Sequence, residues 1–539
     1  MFLTLIKNMQ PILQLRKNKT MRKTLYTLLI VLTGSLIIYT SCKKTVEGRT
    51  DNVPALNPAS VDLDAGTWKT VLLSRPDSFL VAAPALINVP GYIGELNEIK
   101  GLQHNLSDQQ ISDIKYWAAG SVLRWNETMR ELVAKHNLPP YQNEDGTYPI
   151  PSSANPFAYP EFPFSNPPYA ARAYAYISAA QYDALVACWH YKKLYNRAAP
   201  YKVDSTINAN AIYINKTDLP SYPSDAAVLA GVTADLMKLF FPTEIGAVEA
   251  KAANAKESTI ASGACTRSDW AAGEALGRQI ASVFAARGRT DNTGKAVGTQ
   301  TQWDSLATAA IGKGEIPWIS LETPKRNPML PFFGNVKSLL IDSTSMASLL
   351  PGPPPSTNSD QMKKETEEVL SYVKNPSRDD IELVHFWADG AGTYTPPGHW
   401  NAIASEDFIV QNFSEVRWAR NMSLLNIAMM DAAIICWKTK YFYFNPRPSQ
   451  MNPEIKTTTG VPNFPSYISG HSTFSGAAAT ILSHILPARA DAYNKMADDA
   501  SKSRLVGGLH YRSDIEVGMD VGKKTGNYAV QRAQTDGAE

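Results

Sequence analysis

A long internal repeat is the feature that most constrains this chain. When the segment ARAYAYISAAQYDALVACWHYKKLY is moved by 248 positions, so that Ala171 meets Ala419, nine residues land on identities. These are Ala171, Arg172, Ala180, Asp183, Ala184, Cys188, Trp189, Lys192 and Tyr195, and the last of them meets Tyr443. A shift of 245 then carries Pro220, Ser221, Tyr222, Ser224, Gly231 and Pro242 onto Pro465, Ser466, Tyr467, Ser469, Gly476 and Pro487. The same shift takes the run from Arg267-Ser268-Asp269 to Asp291 onto Arg512-Ser513-Asp514 to Asp536. Such self-similarity means one architecture used twice. Within it, Tyr174, Ile177, Ala180, Ala184 and Ala187 recur at helical steps after a Pro167-Pro168 start signal, and Leu424, Ile427, Ala428, Met430 and Ile434 repeat the pattern. The alternation of strands is scarce, so the expected fold is all-α, with two related helical bundles packed in one large unit.

The architecture is duplicated but the chemistry is not. Where the second copy has Gly470, His471, Arg504 and His510, the first has Asp225, Ala226, Thr259 and Cys265. Three clusters are confined to the second copy: Lys440 with Arg447-Pro448, Ser469-Gly470-His471, and Ser503-Arg504 with His510. They supply three cations, two imidazoles and a hydroxyl beside a glycine amide. That inventory suits a tetrahedral oxyanion without a divalent metal, because Lys and Arg donors hold the oxygens while a His works on each side. Phosphate and vanadate are the candidates, in one site on the second bundle.

Spacing places these groups. Lys440 is expected on a helix and Arg447 at its frayed end, because Pro446 disturbs the last turn. Ser469-Gly470-His471 precedes an Ala-rich helical run, so its amides should face an anion from a helix N-terminus, with Gly470 allowing close approach. Gly507-Gly508 breaks the chain between Arg504 and His510 so that both turn inward. Asp514, one turn after His510, is placed to accept from its far ring nitrogen and fix the tautomer. The first copy keeps Asp269 and Lys192 without the histidines, so a structural origin for Asp514 and Lys440 competes with a catalytic one. Lone histidines such as His104, His136, His190 and His484 receive no role.

The stretches KYFYFNPRP, FPSYISGHS and SRLVGGLHYRSD together resemble the superfamily of vanadium-dependent haloperoxidases, bacterial acid phosphatases and type 2 phosphatidic acid phosphatases. The resemblance implies that Lys440, Arg447, Ser469, Gly470 and Arg504 hold the oxyanion, that His510 bonds to it, and that His471 is the acid-base group. The family usually has Pro before Ser-Gly-His, and this chain has Ile468. The segment HFWADGAGTYTPPGHW resembles the haloperoxidase stretch that lays an Asp beside the site, which nominates Asp389 as a supporting residue; a turn residue is the competing reading. Trp437 and Phe464 stand where fungal chloroperoxidases likewise have Trp and Phe, lining the halide side. Two activities share these residues. As a haloperoxidase, the enzyme would use vanadate on His510, with His471 moving the proton of hydrogen peroxide and Lys440 polarising the oxidant for halide. As a phosphatase it would need no cofactor: His510 attacks phosphorus and His471 protonates the leaving alcohol. The duplication and the Trp437–Phe464 pair favour the haloperoxidase, although Trp189 matches Trp437 in the degenerate copy. A lipoprotein that merely binds an anion is the third reading.

The remainder of the chain is expected to serve that unit. Residues 1–42 look like a bacterial lipoprotein signal, with basic residues before an apolar run and Thr40-Ser41 before a Cys42 that would carry lipid; Met21 is the natural start. Tyr39 stands where an aliphatic residue is usual, which keeps a plain signal peptide or an uncleaved anchor as alternatives. The expected location is therefore outside the cytoplasm, tethered to a membrane of the bacterial envelope, with its face open. Residues 43–168 would wrap the bundles, 169–300 form the first bundle, 301–415 the linker and supporting segment, and 416–539 the second bundle. Net charge is +2, and no basic stripe appears, which argues against nucleic acid. Small molecules are the expected partners: peroxide and halide, or a phosphoester. Cys188, Cys265 and Cys436 read as buried apolar residues.

Overall fold

The computed structural model describes residues 53–538 apart from 141, 211–218 and 324. Cys42 and the signal segment lie outside the described residues. The described part is all helical, and the repeat sets its plan. In the first copy α1 (Pro90–His104), α2 (Asp108–Ala118) and α3 (Ser121–His136) precede the long α4 (Pro167–Tyr195), followed by α5 (Asp225–Phe240), α6 (Ile245–Ala261) and α7 (Arg267–Arg289). In the second copy α8 (Asp360–Lys374), α9 (Arg378–Phe386) and α10 (Thr395–Gln411) precede α11 (Glu415–Tyr443), then α12 (Gly470–Ile485), α13 (Ala490–Val506) and α14 (Arg512–Ala533). The α4 and α11 helices are both 29 residues long, α5 and α12 both 16, α6 and α13 both 17.

The repeat reaches further than the identities in the sequence show. Ser268, at the start of α7, binds Glu95 of α1 through its amide at 3.0 Å and its hydroxyl at 2.7 Å. Ser513, at the start of α14, binds Glu365 of α8 in the same way, at 3.1 and 2.7 Å. The neighbouring arginines follow suit, Arg267 pairing with Glu98 and Arg512 with Glu368. A two-pronged clamp is thus shared by the copies although the helices that carry it have little else in common.

The two bundles interlock. Helices α4 and α11 pack against each other and are buried almost all round, as a central helix must be. Buried Asn126, Asn401 and Asn426 hydrogen-bond in series where α3, α10 and α11 meet. One strap, residues 69–73, gives the amides of Val71, Leu72 and Leu73 to Asp183 of the first copy at 2.6, 2.8 and 3.0 Å, while its Thr70 carbonyl accepts from Arg532 of the second at 2.7 Å. The matching strap sends the Leu339 amide to Asp431 at 3.4 Å and accepts from Arg287 through the Ser338 carbonyl at 2.7 Å. Each strap thus ties a buried carboxylate of one copy to an arginine of the other.

Close packing between α12 and α14 positions the chemistry. A Cβ on Gly518 would lie 2.9 Å from the Ser469 carbonyl oxygen, and one on Gly522 would lie 2.3 Å from that of Thr473. Glycine is what lets α14 approach the start of α12 this closely. In the first copy Gly273 and Gly277 make the same approach to Ser224 and Val228. The peptides before Pro223 and before its counterpart Ile468 are both cis.

Candidate active site

Four local structures deliver the site residues. Helix α11 carries Trp437 and Lys440 and stops at Tyr443, because Phe444 takes left-handed φ of 54°. Arg447 therefore does not extend that helix as a frayed end; it is extended, at the N-cap of the short helix Pro448–Met451. Ser469 caps α12, its side chain accepting from the Ser472 amide at 3.3 Å. Helix α13 brings Arg504 and ends at Val506; Gly508 then adopts φ of +79°, and the His510 amide turns back to the Arg504 carbonyl at 3.2 Å. This glycine-terminated turn places a guanidinium and an imidazole from successive segments on one side.

His510 is oriented from behind. Its Nδ1 lies 2.9 Å from Asp514 Oδ2, which also takes the Ser466 hydroxyl and the Tyr511 amide at 3.2 Å. With Nδ1 donating to the carboxylate, the lone pair sits on Nε2, and Nε2 faces Arg447 Nη1 at 3.0 Å. Arg447 is fixed further by the carbonyls of Phe464 at 3.0 Å and Leu509 at 2.8 Å, while its Nη2 is buried without a hydrogen-bond partner. Arg504 donates to the Val384 carbonyl at 3.1 Å and to Ser503 Oγ at 2.9 Å. Lys440 points Nζ at the carbonyls of Pro465 and Ser466, both at 2.8 Å.

His471 stands across from this group. The Trp387 carbonyl takes one ring nitrogen, and the other, Nε2, is buried with no hydrogen-bond partner, 3.8 Å from Asp389 Oδ2. Asp389, with φ of 43°, is itself held by His399 Nδ1 at 3.1 Å, and His399 lies against the Trp387 ring at 4.5 Å. Asp389 therefore takes a left-handed turn conformation and lies beside His471. His399 escapes notice in the sequence, where nothing distinguishes it from a lone core histidine except its place inside the HFWADGAGTYTPPGHW segment.

A cavity of about 360 Å³ gathers the parts: Gly470, His471, Arg504, His510, Asp389, Trp437 and Phe464 all line it. Lys440, Arg447 and Ser469 are fully buried around it, with Arg447 Nη1 3.0 Å from His510 Nε2. The Phe464 ring lies 5.1 Å from that of Trp437, with Lys440 Nζ and the Arg447 guanidinium each 5.0 Å from its centroid.

The cluster is short of negative charge. Burial lowers the pKa of both Arg447 and Arg504 to about 10 and pushes the Lys440 ammonium down as well. His471 is held well below the usual imidazole range by burial and then by Arg504, and His510 by burial and then by Arg447 and Lys440. Burial drives Asp514 upward. A buried cation costs several kcal/mol until it is paired, and here the cations outnumber the carboxylates beside them. A tetrahedral oxyanion fits the donor set: the orphaned Arg447 Nη2, the free face of Arg504 and the helix N-terminus at Gly470 offer donors, and His510 Nε2 offers a nucleophile or ligand. Among the described residues no cluster of His, Cys, Asp and Glu suited to a metal cation is present.

Residues 421–536 match the model of the PAP2 superfamily. A non-specific acid phosphatase of Salmonella typhi is 30% identical over 105 residues, covering 18% of this chain and 41% of that protein, so the chain matches less than half the length of this relative. Among solved structures, the first bacterial vanadium-dependent iodoperoxidase superposes with a TM-score of 0.55 at 20% identity, covering 76% of this chain and 96% of its own. A bacterial vanadium-dependent chloroperoxidase in its holo form gives 0.48 at 12% identity over 71% of this chain and 96% of its own. Over the part it covers, this chain shares the fold of the iodoperoxidase.

Proposed function

From the match of residues 421–536 to the PAP2 superfamily, we propose that this chain is a vanadate-dependent haloperoxidase that oxidises halide with hydrogen peroxide. The observation that carries this reading is the wall beside His510. Trp437 and Phe464 present apolar rings to the cavity while Lys440 and Arg447 lie directly behind Phe464, a surface both water-poor and electropositive, which suits a halide. Vanadate, when bound, would supply a Lewis-acidic centre that activates peroxide.

The chain's own residues would do the rest. Asp514 keeps the His510 lone pair on Nε2, and Arg447 and Arg504 neutralise the oxyanion without needing deprotonation. His471, neutral because burial and Arg504 depress its pKa, accepts a proton at Nε2 from the incoming peroxide. Asp389, 3.8 Å away, stabilises the imidazolium that results. Lys440, tied to two carbonyls, is held in position behind the wall, with burial opposing its charge.

The second reading is a phosphohistidine phosphatase on the same residues, favoured by the 105-residue likeness to the acid phosphatase. There His510 Nε2 attacks phosphorus, and His471 protonates the leaving alcohol and then activates water. We further propose that Cys42 carries lipid and tethers the enzyme to an envelope membrane; labelling with a radioactive fatty acid, lost in Cys42→Ala, tests it. Among the described residues no helix is long and apolar enough to cross a membrane.

The deciding experiment loads protein starting after Cys42 with orthovanadate, adds peroxide and bromide or iodide, and follows halogenation of a dye. Vanadate-dependent halogenation that disappears in His510→Ala supports the haloperoxidase. Cleavage of an aryl phosphate, inhibited by vanadate and without halogenation, assigns the phosphatase instead.

A further inference from the structure

The site cavity does not end at the oxyanion donors. Beside it lies a second hollow of about 150 Å³, the two sharing Phe164, Arg326 and Met329 as common wall. The lining changes along the way. Near His510 stand Trp437 and Phe464; at the junction stand Phe164 and Met329; the outer hollow is lined by Tyr148 and by Ile150, which is 51% exposed and marks the way out. None of the four outer residues has work in the oxyanion chemistry. One polar device interrupts the apolar wall: Arg326 forms a bidentate pair with Glu322 at 2.8 Å for both bonds, its guanidinium 5.6 Å from the Phe164 ring and its side chain only 11% exposed.

This wall is held to the catalytic helix. The Met329 carbonyl accepts from Trp437 Nε1 at 3.2 Å and from the Tyr441 hydroxyl at 2.7 Å, and the Met329 amide donates to the Asn463 carbonyl at 3.2 Å. Asn463 returns a bond to the Asn327 carbonyl at 2.5 Å. A groove fixed in this way is preformed, and apolar preformed hollows with a few placed polar groups are how proteins hold small organic molecules. The corresponding cavity of the first copy mixes polar groups such as Asp225, Ser258, Thr259 and Ser262 with Ile114 and Trp117.

We propose that this groove binds an aromatic organic substrate, about the size of two fused rings. The ring system lies between Phe164, Met329 and Phe464, and a hydroxyl or similar substituent reaches the Arg326–Glu322 pair. Flat slots walled by aromatic rings and a stacked guanidinium favour an aromatic guest over an aliphatic one. That the bound ring is the acceptor of the oxidised halide rests on the haloperoxidase reading; that the groove binds it does not.

The test uses the full chain and 2-naphthol, with phenol as the smaller comparison. By calorimetry 2-naphthol should bind at least tenfold more tightly than phenol, and Phe164→Ala and Met329→Ala should each weaken it by about tenfold. Orthovanadate affinity, and iodide oxidation followed as triiodide with no organic acceptor, should stay unchanged in both variants. KM for 2-naphthol halogenation should rise by the same factor as the dissociation constant. Equal binding of 2-naphthol and phenol, or binding indifferent to both substitutions, overturns the proposal. Groove-dependent 2-naphthol binding in a protein that never oxidises halide sustains the groove and removes the haloperoxidase reading.

Discussion

Lys192 and Lys440 occupy the same position on the two equivalent long helices, and the difference in what they face explains why one copy is a site and the other is not. Both ammonium groups donate to the same carbonyl, Pro220 in one copy and Pro465 in the other. That bond belongs to the architecture. Beyond it, Lys192 finds Asp225 Oδ1 at 3.7 Å, whereas the place of Asp225 is held by Gly470. Thr259, in the place of Arg504, turns its hydroxyl back to its own helix at Ala255, and Cys265 fills the place of His510 as a buried thiol. The scaffold bonds persist: the Ser224 amide meets the Asp269 carbonyl at 3.0 Å just as the Ser469 amide meets that of Asp514 at 2.9 Å. The first copy thus carries its anion built in, and the second leaves room and charge for one from solution.

The largest expected effect comes from giving the second copy the first copy's residue. Gly470→Asp should cost on the order of a thousandfold in orthovanadate or phosphate affinity, because a carboxylate pre-empts the buried cations. The fold should survive, since a Cβ at Gly470 would meet nothing closer than Phe474 at 3.9 Å and Trp437 at 4.0 Å. Unaltered anion binding, read by calorimetry beside an unchanged circular dichroism spectrum, would break the comparison. Next comes Arg504→Ala. Losing one charge-assisted donor from a buried anion should weaken binding by roughly ten- to a hundredfold and leave the first copy untouched.

The anion should also change how stability responds to pH. With no anion bound, His471 and His510 have pKa values far below the ordinary imidazole value, so the unfolded chain binds more protons as the pH drops. Stability contributed by keeping both rings neutral is then lost as pH falls below about 6.5. An oxyanion favours the protonated rings and should flatten that loss. Tm measured between about pH 7 and pH 5 should fall by a few degrees more without phosphate than with it at saturation. Parallel curves would show that the imidazoles do not face the anion.

Much of this contrast between the copies is legible in the amino-acid sequence. The matched identities from Ala171 to Tyr195 and from Arg267 to Asp291 announce the duplicated helices, because interlocking central helices tolerate few changes. Ser469-Gly470-His471 and Arg504 with His510 are legible because a cap, a helix break and chemistry-bearing side chains lie within a few residues of each other. The α1–α8 equivalence is not: its only trace is the paired spacing of Glu95 with Glu98 and Glu365 with Glu368, whose partners are distant in sequence. Arg447 as an N-cap is hidden because a left-handed Phe444 ends α11 without the usual glycine. His399 joins the site, and Arg326 and Met329 the neighbouring groove, only through tertiary contacts, and no local pattern marks them.

The smallest effect sharpens the comparison from the opposite side. Asp225→Gly restores to the first copy the residue that the second one uses, and leaves Lys192, whose side chain is 2% exposed, without its carboxylate. Because the Asp225 side chain is itself 33% exposed and 3.7 Å away, solvent already screens the pair, and the loss of stability should stay under about 1 kcal/mol. Halogenation should not change. Anion binding should not appear in the first copy either, since Ala226, Thr259 and Cys265 still supply no imidazole or guanidinium. A second equivalent of phosphate bound by Asp225→Gly, seen as doubled calorimetric stoichiometry, would show that the single carboxylate had been hiding a site. An unchanged stoichiometry would mean that losing the histidines and Arg504 was enough on its own to silence this copy.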